Sequence, residues 1–194
     1  MKKSRVLSLA LLAVALFVGH SSFAQNDKMM KKEKTVMVGG SEMYPSKNII
    51  ENAAHSKDHT TLVAAVKAAD LVKVLSGEGP FTVFAPTNGA FDKLPEGTVP
   101  TLLKPENKAA LTGVLTYHVI AGKFNATDVI ELIRKNDGKA TVKTVAGSEI
   151  TLSLQDGKVI ITDANGGMAT VTIADVNQSN GVIHVIDMVL LPKM

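Results

Sequence analysis

Two histidines lie in apolar runs where an imidazole could do chemistry. His118 sits between Tyr117 and Val119, and His184 between Ile183 and Val185. An imidazole titrates near neutrality, so each is a candidate general acid or base, with nearby carboxylates completing a small-ligand or catalytic site. The same setting also suits a buried ring whose nitrogens bond backbone groups. His55 and His59 flank Asp58, and two imidazoles with a carboxylate are donor types for a divalent metal. Their i, i+4 spacing shares one face only in an unbroken helix, whereas Asp58 reads as an N-cap that interrupts it. Met29, Met30, Met37 and Met43 cluster in a polar, Lys-rich stretch. Clustered thioethers suit Cu(I), and the stretch reads equally as a flexible tail.

Other chemistry is excluded or left undecided by residue type. The chain has no cysteine, hence no thiolate nucleophile, no disulfide and no lipobox attachment. The run GEGPFT lacks the third glycine and the helix of a phosphate loop, and no Gly-x-Ser-x-Gly elbow is present. Asp163 and Asp175 fall at strand edges or turns, where an acid pair would depend on a separation in space that sequence does not give. The sequons at Asn125 and Asn177 matter only in a eukaryotic secretory pathway.

Residues 1–24 read as an export signal of bacterial type. A basic MKKSR precedes an apolar run of about 14 residues, and Ser22 and Ala24 stand at −3 and −1 before Gln25. The apolar run is shorter than the roughly 20 residues a span requires, so no membrane span is expected after cleavage. Of 21 basic residues in the chain, the signal holds Lys2, Lys3 and Arg5; the rest balance the 18 acidic ones. A neutral mature chain with Arg134 as its one arginine has no electrostatic footprint for nucleic acid. About 170 residues remain, enough for one domain that buries about two-thirds of its unfolded surface. Aromatic residues make up only 4%, so the core must be Val, Ile, Leu and Ala.

Residues 25–44 read as a flexible lead-in and 45–194 as the folded domain. Pro45-Ser46 starts a helix carrying Ile49, Ile50 and Ala53, and Asp58 is expected to cap TTLVAAVKAAD, with Asp70 at its left-handed stop. FTVFAP reads as a strand, with Thr87 or Asn88 capping the helix that buries Phe91. Helices follow over Gly97–Leu103 and Pro105–Leu115, then a strand from Tyr117 to Ile120, then a helix capped by Asn125. The last third alternates through four strands, KATVKTVAG, SEITLSLQDG, KVIITDANGG and ATVTIADV. Asp156-Gly157 is a type I′ hairpin turn, and the nearly continuous apolar run GVIHVIDMVLLP reads as a strand covered on both faces.

Three stretches, FTVFAPTNGAFDKL, LTYHVIAG and NGVIHVIDMVLLP, together resemble the fasciclin (beta-Ig-H3-like) domain family over about residues 45–193. The resemblance implies an α+β fold, a fasciclin-like wedge of two β-sheets with several packed helices. It further implies an exported, non-enzymatic module with no cofactor, engaged in adhesion or matrix and biofilm interaction. Its partners would be a cell-surface or matrix protein or polysaccharide, reached through Tyr117 and His118. Gly89 departs from the family, standing where a better helix former is usual.

Overall fold

The computed structural model describes residues 33–193, and its first element corrects the expectation of a flexible lead-in up to residue 44. Strands β1 (Val36–Val38) and β2 (Ser41–Met43) form an antiparallel hairpin over Gly39-Gly40, both at positive φ. Alternation puts Val38 and Met43 on one side, where both are buried. Met37 faces the other way and is exposed, so Met37 and Met43 share no site. The expected signal, Met29 and Met30 lie outside the described residues.

Helix α1 (Ile49–Ala53) begins with a capping box: Asn48 Oδ1 accepts from Glu51 N at 2.9 Å, and Glu51 Oε2 accepts from Asn48 N at 2.8 Å. A 3₁₀ turn (Lys57–His59) leads into α2 (Thr60–Ala68) and α3 (Val72–Ser76). The expected cap at Asp58 is not made. Instead Asn88, from the next segment, supplies Oδ1 to Thr61 N (3.0 Å) and to the Thr60 hydroxyl (3.2 Å). Its amide donates back to Lys57 O at 2.8 Å. Asp70 adopts the expected left-handed conformation, at φ 56°.

Strand β3 (Phe81–Pro86) runs into α4 (Asn88–Asp92), whose cap is Thr87: its Oγ1 accepts from Ala90 N at 3.2 Å. Thr87→Ala is expected to lower stability by about 0.5–2 kcal/mol while the folded fraction binds as before. Chemical denaturation beside a binding assay checks this, and a fully stable variant that lost binding would reassign the turn to function.

Next come α5 (Thr98–Leu102), a 3₁₀ turn (Pro105–Asn107), α6 (Lys108–Tyr117), β4 (Val119–Ala121) and α7 (Ala126–Lys135). The expected strand from Tyr117 is corrected here, because Tyr117 is the last residue of α6. The chain then forms β5 (Lys139–Lys143), β6 (Glu149–Gln155), β7 (Lys158–Thr162), β8 (Met168–Gln178) and β9 (Gly181–Ile186). Every residue of β9 is buried, as its apolar run predicts.

Seven strands share one sheet in the order β4-β3-β9-β8-β7-β6-β5, parallel at β3–β9 and antiparallel elsewhere. Strand β8 pairs with β7 through its first residues and with β9 through the rest, bending at register shifts between Val171 and Val176. Beyond β5, Val145 N donates to Val119 O of β4 at 2.8 Å, bringing the two ends of the sheet together into a mostly closed barrel. Core side chains gather on both sides of β3 and β9. Val66, Leu75, Leu115, Ile183 and Val185 pack in the cluster formed with the early helices. Val129 and Ile133 of α7 pack with Ile150, Leu152 and Ile161.

Candidate functional site

The Tyr117-His118 pair sits where α6 gives way to β4. The last carbonyls of a helix lack intrahelical partners, and His118 serves one of them. Its Nδ1–H donates to Val114 O at 2.8 Å, while Nε2 accepts from Leu190 N at 2.9 Å. Both nitrogens are therefore used by the neutral ring. Burial pushes its pKa down to about 4, against the opposing effects of the Val114 bond and the nearby Asp163 carboxylate. Tyr117 has no exposed surface. Its hydroxyl donates to Glu149 O at 2.8 Å and accepts from Ala164 N at 3.0 Å, and burial raises its pKa. The expected partner-contact pair is thus corrected: both side chains lie inside and present no surface to a partner. They tie α6 to the start of β6, to the β7–β8 turn and to the C-terminal segment.

His184 is also occupied. Its Nε2–H donates to Phe124 O at 2.8 Å, and Asp175 N lies 3.4 Å from Nδ1 as donor. The ring stacks on Phe84 with centroids 5.8 Å apart, and burial lowers its pKa. His118 borders a cavity of about 30 Å³, and His184 one of about 10 Å³. Volumes of that size admit one or two waters at most, so neither ring faces a cleft for a substrate. The alternative acid–base site at His118 and His184 does not form, and both rings take the buried, backbone-bonded setting.

His55 and His59 part company. His55 is exposed, with Nδ1 2.7 Å from Glu51 O. His59 is buried, with Nδ1 2.9 Å from Ser56 Oγ, and desolvation lowers its pKa. The i, i+4 geometry needed for a shared metal fails because residues 57–59 are a 3₁₀ turn. Among the described residues no three His, Asp or Glu side chains gather as a metal site.

The sequence singles out Asp163 and Asp175 only as a possible acid pair and leaves Asn180 aside, yet all three join distant segments. Asp163 accepts from Asn165 N and Gly167 N and, through Oδ2, from Leu191 N at 3.0 Å, holding the β7–β8 turn to the C-terminal segment. Asp175, at φ 58° within the β8 irregularity, places Oδ1 2.6 Å from Ala126 N at the start of α7. Asn180 donates to Leu75 O and Gly77 O at 2.8 and 2.9 Å and accepts from Ile49 N at 3.0 Å. The Asn180-Gly181 pair marks a turn in the sequence, but nothing local reveals that its amide joins α1 and α3 to the strand bearing His184.

A mixed α+β chain with one large, mostly closed sheet, a small second sheet and helices packed against them defines a fold class already known. A solved pair of FAS1 domains from the insect cell adhesion molecule fasciclin I matches with a TM-score of 0.68 at 19% identity, covering 76% of this chain and 52% of that one. The fasciclin domain family model matches residues 57–192, and the chain belongs to that family. It is 50% identical over 167 residues to protein sll1483 of Synechocystis, covering 86% of each chain. The cell surface glycolipoprotein MPB83 of Mycobacterium bovis is 37% identical over 123 residues, 63% of this chain and 48% of the relative. No helix among the described residues is long and apolar enough to cross a membrane.

Proposed function

We propose that this protein is an exported, non-enzymatic module that binds a cell-surface or matrix partner through surface complementarity. The observation that carries this reading is the internal use of four chemically suggestive groups. His118, His184, the Tyr117 hydroxyl and the Asp163 carboxylate all close hydrogen bonds within the fold. What the fold offers outward is shape, charge and hydroxyls, the means of a binding module. The surface name of the mycobacterial relative and the adhesion role named for the insect protein favour the same reading. Tyr117 and His118 then support the binding surface from beneath.

Tagged protein lacking residues 1–24 is expected to bind native envelope or matrix saturably. Tyr117→Phe, which keeps the ring, should bind in proportion to its folded fraction. Absence of binding to any native surface would remove the proposed role, and a folded Tyr117→Phe that failed to bind would return the tyrosine to the contact site.

A further inference from the structure

Strand register builds a second feature on β5–β8, opposite the side covered by α7. Ala140, Ile150, Leu152, Ile161 and Ala169 point into the core shared with Val129 and Ile133. The alternate residues therefore face outward. Thr141, Thr151 and Thr162 are successive cross-strand partners in one outward row. The adjacent row is Lys139, Ser153, Ile160 and Thr170, in which Ile160 is itself buried, so the hydroxyls of this row are Ser153 and Thr170. Lys143 continues this face along β5, and Lys158 along β7. With about 3.4 Å per residue and about 4.8 Å between strands, the rows space their hydroxyls regularly, Lys139 and Lys143 standing about 14 Å apart.

The charge on this face is one-sided although the domain is close to neutral. Lys139, Lys143 and Lys158 are exposed, and Glu149, opposite Lys143, is the one acid among the outward strand positions. No aromatic residue occurs in β5–β8, which removes the stacking platform that neutral sugar rings or single-stranded bases would use. Met168 is the one exposed large apolar side chain in these strands, too little for a lipid anchor. Hydroxyl rows with excess ammonium groups match a polymer that repeats hydroxyls and carboxylates.

We propose that the outward face of β5–β8 binds an acidic polysaccharide, its carboxylates meeting Lys139, Lys143 and Lys158 and its hydroxyls meeting the threonine row. This rests on the surface-binding role above and names the class of partner. The probe is immobilised polygalacturonate, with dextran, phosphatidylglycerol vesicles and single-stranded DNA as alternatives. Wild type is expected to bind polygalacturonate saturably, more weakly in salt, and not dextran. The Lys139→Gln/Lys143→Gln/Lys158→Gln variant should bind about tenfold more weakly, the combined effect of three weak exposed contacts. Its unfolding midpoint should be unchanged, and Glu149→Gln should tighten binding.

Equal retention of wild type and the triple variant would overturn the proposal, as would equal binding to dextran or a preference for vesicles or DNA. Capture of native matrix that survives digestion of its acidic polysaccharides would overturn the assigned partner and leave the surface role standing. Lysine-dependent binding to polygalacturonate without capture of any native surface would support the face and remove the role.

Discussion

Gly181→Ala is expected to cost about 3 kcal/mol or more, whereas Gly89→Ala in the same fold should gain up to about 1 kcal/mol. A Cβ at Gly181 would lie 2.1 Å from the Phe81 carbonyl oxygen, a backbone atom in the partner strand. Phe81 and Gly181 are register partners at the start of the parallel β3–β9 pair, so relief requires these central strands to separate. Forced overpacking of this kind belongs to the severe end of single substitutions. At Gly89, within α4 and exposed, a Cβ would meet only Thr87 Oγ1 at 3.9 Å, and replacing a helical glycine lowers the entropy lost on folding. Urea midpoints of the two variants decide the matter. A Gly181→Ala protein as stable as wild type would show that the β3–β9 contact is less tight than described.

The second large effect is on pH. His118 titrates near 4 when folded, against the ordinary 6.5 of an exposed imidazole. Between these values the unfolded chain binds a proton that the folded one refuses. Stability is therefore full above pH 6.5, declines below it, and reaches its full loss from this group once the pH has fallen through 4. The whole shift corresponds to about 3 kcal/mol. His59 and His184, also lowered by burial, act in the same direction. Replacing His118 by Gln should reduce stability at neutral pH, where Val114 O and Leu190 N lose their fitted partner, and should flatten the decline below 6.5. Denaturant midpoints measured across that range test it; an unchanged slope in the Gln variant would assign the acid sensitivity elsewhere.

Elements governed by local chemistry were legible from the sequence. Asp156 and Gly157 both take positive φ, 51° and 76°, as the expected I′ turn requires. The four alternating runs became β5–β8 because alternation over several residues has one economical solution beside an apolar core. The β1–β2 hairpin was obscured by its shortness and by the lysines around it. Tyr117-His118 was misread because no glycine or proline marks the end of α6 and the following Val119-Ile120 favours strand. Its role was harder still, since a Tyr-His pair has the same letters whether it meets a partner or closes carbonyls in the core. Three-dimensional partners decide between those roles, and Glu149, Ala164 and Leu190 lie 32 to 72 positions away from the residues they bond.

The cap that Asn88 lends to α2 gives the fold a dependency in time. A helix of nine residues is marginal on its own, since starting it costs more than its few hydrogen bonds return. Here its starter is not encoded beside it: the amide that completes the first turn arrives on a residue 27 positions after Thr61. Until β3 and the start of α4 have left the ribosome α2 lacks this cap, and it loses the cap again whenever that corner leaves. The stretch that identifies the family thus acts as a latch, coupling the start of α2 to the β3–α4 corner through one side chain.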